Sequence, residues 1–177
     1  MGTNKTKATI EQLGLLFSQS AIEHAYSLAG ELKEHGITEA HEERIKTIEC
    51  QLELLIFIMF PLDLVINQGF GRYSQKIRRA FRDSVLDRFR QVGWSYPQLN
   101  VLENQMEERF DEYCNAFSGE DGLLRLASSA YKRIMDTTVA DSLGAALCAA
   151  HFMAMLRAYG PLCEEYEIGN DGPECAV

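Results

Sequence analysis

The segment from residue 45 to residue 66 constrains the fold more than any other part of the sequence. Its apolar residues recur at alternating steps of three and four, which places them on one stripe of an α-helix. They are Ile45, Ile48, Leu52, Leu55, Met59, Leu62 and Ile66. From Leu52 onward most other positions are apolar too, so other elements must cover this helix on all sides. Pro61 has no amide to donate to the carbonyl of Phe57, and we expect a kink or a break there.

A second apolar segment runs from residue 143 to residue 156, where LGAALCAAHFMAML contains His151 as its one polar side chain. The glycine and alanine residues of this segment would let another helix approach closely. The longest apolar stretches are Leu54 to Leu64, interrupted by Asp63, and Leu143 to Leu156, interrupted by His151, and both fall short of the roughly 20 residues that a membrane span requires. We therefore predict two apolar core helices, at about 45–67 and 138–160, and no membrane association.

Three capping boxes mark helix starts. In a capping box, the side-chain oxygen of the N-cap residue accepts a hydrogen bond from the backbone amide three residues later, and the side chain of that later residue accepts one from the backbone amide of the N-cap. The pairs are Thr9 with Gln12, Ser95 with Gln98, and Thr138 with Asp141. Together with glycine breaks, they predict helices at 9–35, 39–67, 72–91, 96–117, 122–136 and 138–167. No segment alternates apolar and polar residues over several positions, so no strand is predicted.

These patterns predict an all-α fold, a single helical bundle of about six helices. A chain of 177 residues with 46% hydrophobic and 24% charged residues suits one domain. The bundle would span 9–167, with a disordered segment at 1–8 and a flexible acidic tail at 168–177. Five cysteines occur without a CxxC pair, and no secretory segment is recognised. We therefore expect reduced thiols and a cytoplasmic protein.

Charge is distributed unevenly along a chain whose net charge is −9. Residues 69–92 carry seven basic and two acidic side chains. The basic patch that could contact phosphate groups consists of Arg72, Lys76, Arg79 and Arg90. The opposing interpretation is that Asp83 and Asp87 pair with Arg79 and Arg90 on the same helix. Because the whole chain is acidic, we favour this interpretation and expect no binding to nucleic acid.

Five polar residues on apolar helix faces are candidates for a buried ligand site. They are His24, Glu53, Asp63, Cys148 and His151. Cys148 and His151 share a helix face, as two metal ligands would, and a carboxylate could complete a site between the core helices. The alternative is that each group is satisfied by a hydrogen bond or an ion pair. For Asp63, a place in the first turn of a helix restarting at Pro61 would suffice.

The first helix carries apolar residues on two faces, and one bundle of this size is not expected to cover both. One face holds Leu13, Phe17 and Leu28, and the other holds Leu15, Ile22 and Tyr26. The second face predicts an interface.

No complete catalytic, metal or cofactor motif is recognised in the sequence. We predict a non-enzymatic protein without a cofactor or a metal, which acts through protein–protein contacts as a homodimer or with another protein partner. The alternative is a bundle that binds a small molecule or a metal between its core helices. An enzyme that uses the same polar groups is the third hypothesis.

Overall fold

Helices form most of this structure, a computed structural model that describes residues 5–34 and 39–169. The helices are α1 Ile10–Glu34, α2 Glu39–Ile45, α3 Ile48–Gly69, α4 Ser74–Gln91, α5 Tyr96–Phe117, α6 Gly122–Met135, α7 Ser142–Tyr159 and α8 Leu162–Glu165. A short 3-10 turn, Gly71–Tyr73, leads into α4. The all-α bundle predicted from the sequence is thus confirmed.

Two of the three predicted capping boxes are formed. The amide of Thr9 donates to Gln12 Oε1 at 2.9 Å, and the amide of Gln12 donates to Thr9 Oγ1 at 3.2 Å. At the start of α5, the amide of Ser95 donates to Gln98 Oε1 at 2.9 Å. These caps satisfy amides that have no partner within their helix.

The third predicted box, at Thr138, is wrong. Asp141 itself caps the helix, because its Oδ2 accepts from the amide of Gly144 at 2.8 Å. The second core helix therefore spans Ser142–Tyr159 and not 138–160. An aspartate is as good an N-cap as a threonine, and the sequence alone did not decide between the two positions.

The helix predicted at 39–67 is divided in two. Thr47 is the N-cap of α3, and its Oγ1 accepts from the amide of Cys50 at 3.3 Å. The expected break at Pro61 is absent, since α3 is helical from Ile48 to Gly69. Every residue from Leu54 to Leu62 is buried, and this packing offsets the missing hydrogen bond of the proline.

The prediction of no strands is also wrong. Thr6–Ala8 (β1) pairs in parallel with Tyr166–Ile168 (β2), and the amide of Gly169 donates to the carbonyl of Ala8 at 3.1 Å. β1 lies in the segment predicted as disordered, and β2 lies where the last helix was predicted to continue. Strands of three residues are too short to show alternation, so only the pairing identifies them.

The core is built around α3, which contacts α1 and α2 as well as every helix from α4 to α8. This arrangement explains why the helix is apolar on all sides. The close approach predicted for the small residues of α7 occurs at Gly144, where an added Cβ would lie 2.0 Å from Cε2 of Tyr131 in α6. Another close approach joins α1 to α4 at Gly14 and Ala80. Within 5–34 and 39–169, no helix combines the length and hydropathy of a membrane span.

Candidate functional site

Glu53 lies in the interior of the bundle, on the side of α3 that faces α5. Its carboxylate accepts from Arg109, with Nη2 at 2.9 Å from Oε1 and Nε at 3.0 Å from Oε2. Gln105 Nε2 adds a third donor at 2.8 Å. The hydrogen bond to Glu53 raises the pKa of Arg109. A bidentate pair of this kind neutralises the buried carboxylate and leaves it little capacity for a ligand.

Asp63 is neutralised in the same way, but by α4. Arg78 Nε donates to Asp63 Oδ1 at 2.7 Å, and Arg82 Nη2 lies 3.9 Å from the same oxygen. The dipole explanation for Asp63 is therefore wrong, because α3 does not restart at Pro61. Neither arginine was predicted from the sequence as a partner of Asp63. Their spacing of four placed them on one face of α4, but nothing in the sequence showed that this face meets Asp63.

Cys148 is fully buried in α7, and burial raises the pKa of its thiol to about 12. At neutral pH the thiol is therefore protonated, whereas a cysteine nucleophile must be a thiolate. In this location Cys148 packs as a small apolar residue of the core.

The two histidines lie between α1 and α7. His151 Nε2 is 3.0 Å from Glu31 Oε1, and His24 Nε2 is 3.3 Å from the hydroxyl of Tyr159. Burial, and secondarily the nearby His151, lower the pKa of His24. Both rings therefore have partners on the facing helix, and they join α1 to α7.

The structure does not bring the five predicted ligand residues together. Glu53 faces α5, Asp63 faces α4, and each histidine pairs with its own partner across α1 and α7. Among the described residues, no group of three or more His, Cys, Asp or Glu side chains is arranged to hold a metal ion. The predicted site between the two core helices is not assembled from these groups.

Two arginines of the basic patch form the ion pairs with aspartates of the same helix that the sequence predicted. Arg79 Nε lies 3.9 Å from Asp83 Oδ2, and Arg90 forms an ion pair with Asp87. Arg72 Nη2 donates to the hydroxyl of Tyr73 at 2.7 Å. Lys76 is exposed on α4. Two of the four patch residues thus have carboxylate partners, which weakens the case for a phosphate-binding face.

The two faces of α1 differ in burial. Leu13, Phe17 and Leu28 are buried, whereas Leu15 is 46% and Tyr26 is 68% exposed, and Ile22 is partly buried. Gly30 continues the outer face one turn beyond Tyr26, and an added Cβ there would meet no atom within 4 Å. We call Leu15, Ile22, Tyr26 and Gly30 the α1 ridge.

An open apolar groove lies beside the α1 ridge, between the C-terminal halves of α1 and α4 and the N-terminal half of α3. Its volume is about 590 Å³. The apolar lining residues are Ile22, Ala25, Tyr26, Ile48, Leu52, Leu55, Phe89 and Val92, and the polar ones are Lys46, Gln51 and Arg88. Because three helices contribute to it, the groove has no signature in the sequence.

The chain matches no family model, no curated protein and no solved structure in the comparisons made with them.

Proposed function

We propose that this protein acts through protein–protein contacts, and that it forms a homodimer in which the α1 ridge of one copy packs on that of the other. The observation that carries the proposal is the exposure of large apolar side chains on one helix face, with Tyr26 68% exposed. Contiguous apolar surface of this kind is typical of interaction sites.

Gly30 supports the same proposal. A glycine within an exposed helix costs about 0.5–1 kcal/mol relative to alanine. Gly14 and Gly144 are explained by close neighbours, but nothing lies within 4 Å of a Cβ added at Gly30. A second helix that crosses the ridge at Gly30 would explain why a glycine occupies this position, since small residues let two helix backbones approach closely.

The charges of the ridge are compatible with twofold symmetry. A twofold axis brings each surface against its own copy, so a charged patch would meet like charges. Gln12 and Gln19 also face outward along the ridge and are uncharged, whereas the exposed charged residues Glu11, Glu23 and Lys33 lie at its ends and its edge. The net charge of −9 opposes association at a distance, and added salt should therefore strengthen the dimer.

The test is light scattering coupled to size-exclusion chromatography. The wild type should have the mass of a dimer at tens of micromolar, and Ile22→Glu should have the mass of a monomer, because the twofold axis buries two added carboxylates. Val139→Glu is the matched control. Val139 is 74% exposed and lies outside α1, so this variant should remain a dimer. A wild type that is monomeric at high micromolar concentration contradicts the proposal, as does equal dissociation of both variants.

A further inference from the structure

The groove beside the α1 ridge has the dimensions and lining of a ligand site. Its volume of about 590 Å³ falls within the roughly 300–1,000 Å³ of small-molecule clefts. Ala25 and Leu55 are buried in it, and Leu52 and Phe89 are partly buried. Such clefts combine a mainly apolar lining with a few polar groups that orient the ligand.

Two of the three polar lining residues are already engaged within the protein. Lys46 Nζ lies 2.6 Å from Glu43 Oε1, and Gln51 Nε2 donates to the carbonyl of Ile45 at 2.6 Å. Arg88 is half-buried, and its guanidinium has no hydrogen bond or ion pair with any residue in the described part of the chain. Among the side chains that the structure describes, no acidic one lines the groove.

The pairing of its neighbours makes Arg88 unusual. The arginines at positions 78, 79, 82 and 90 of the same helix each lie within 4.0 Å of a carboxylate. In a chain with net charge −9, an arginine without such a partner beside an apolar groove presents unused donors. The planar guanidinium donates two parallel hydrogen bonds to a carboxylate, which gives both energy and orientation.

We infer that this groove binds a single-chain amphiphile with a carboxylate head group, a fatty acid in chemical class. The carboxylate would pair with Arg88, and the alkyl chain would lie against Leu52, Leu55 and Phe89. A ligand with one polar group and an otherwise apolar body fits because the lining offers one unpaired polar group on an otherwise apolar surface. Ile22 and Tyr26 belong to both the ridge and the groove, but the inference does not rest on the homodimer, since its anchoring residues belong to α3 and α4.

Calorimetric titration with two probes tests the inference. Dodecanoate and dodecyltrimethylammonium have the same alkyl chain and opposite charges, so their difference reports the head group. Below their micelle concentrations, the wild type should bind dodecanoate at least about tenfold more tightly. Arg88→Gln should weaken dodecanoate binding by about tenfold or more, since hydrogen bonds to charged groups are the stronger ones. Arg79→Gln, at a surface arginine outside the groove, should bind as the wild type does.

The site of binding is tested separately by methyl NMR with spin-labelled dodecanoate. The methyl signals of Ile48 and Val92, which lie at the groove, should broaden, and those of Val139 should not. The inference is overturned if dodecanoate does not bind, if both probes bind equally, if Arg88→Gln binds as tightly as the wild type, or if broadening occurs elsewhere. Arg88→Gln should keep the light-scattering mass of the wild type, so this inference and the homodimer can fail independently.

Discussion

Replacing Arg109 by methionine would remove the cation that neutralises Glu53 inside the bundle. Glu53 is 5% exposed, and the side chain of Arg109 is 16% exposed. Loss of one partner of a buried ion pair costs about 3–5 kcal/mol, because the other charge is left without compensation. Gln105 keeps its hydrogen bond to the carboxylate at 2.8 Å. We therefore expect a loss at the lower end of this range, about 3 kcal/mol.

A chain of this size loses roughly 2–4 °C of melting temperature per kcal/mol, so Arg109→Met should melt about 6–12 °C below the wild type. Urea unfolding followed by far-UV circular dichroism, at one fixed protein concentration, would measure the free energy directly. The double variant Glu53→Met with Arg109→Met should recover much of the loss, since apolar side chains of similar size can replace a buried ion pair.

Lys46→Met provides the matched control, because the ion pair of Lys46 with Glu43 is exposed, with side-chain exposures of 58% and 75%. Its unfolding midpoint should stay close to that of the wild type. The reasoning is refuted if Arg109→Met loses less than about 1 kcal/mol. It is also refuted if the double variant is less stable than Arg109→Met, because the cost would then come from lost packing and not from the unpaired charge.

Three further predictions concern packing, capping and pH. Gly144→Ala should lose about 1–3 kcal/mol in urea unfolding, because its Cβ would lie 2.0 Å from Cε2 of the buried Tyr131; Gly30→Ala, which has open space in the single chain, should gain stability when both are compared in the monomeric Ile22→Glu background, and a gain in both variants would contradict the packing argument. Asp141→Ala should lose about 1 kcal/mol with the N-cap of α7, and an unchanged melting temperature would disprove the role of that cap. Because burial lowers the pKa of His24 below 6.5 in the folded state, the unfolded chain binds this proton more readily. The free energy of unfolding should therefore fall as pH decreases through and below about 6.5, and the fall should be smaller in His24→Gln; equal pH profiles would exclude this contribution.

The sequence by itself determined the helical character of the fold and the identity of its central element. The steps of three and four between Ile45 and Ile66 require a helix, and the apolar residues on its remaining faces require neighbours all around. In the described part of the chain, α3 contacts seven other helices. The unequal faces of α1 were predictable for the same reason, since burial follows the helical period. These properties are local, because the apolar pattern of a helix can be read from its own sequence alone.

Helix boundaries were less predictable where two caps compete within a few residues. Thr138 and Asp141 are both good N-caps, as is Thr47 inside a long apolar pattern, and the differences between such sites amount to about 1 kcal/mol or less. Tertiary packing readily decides between alternatives so close in free energy, and the burial of residues around Pro61 outweighed the preference for a break there.

Only the tertiary structure decided which charges meet and where surface remains open. Arg109 lies 56 residues beyond Glu53, and Arg78 lies 15 residues beyond Asp63, so no helical spacing relates the members of either pair. The groove likewise exists because α1, α3 and α4 do not pack closely enough to fill the space between their apolar faces. A sequence pattern reports which face of one helix is apolar. The pairing of faces depends on how the helices pack, and it was this packing that separated the candidate ligand residues and left Arg88 beside an apolar groove.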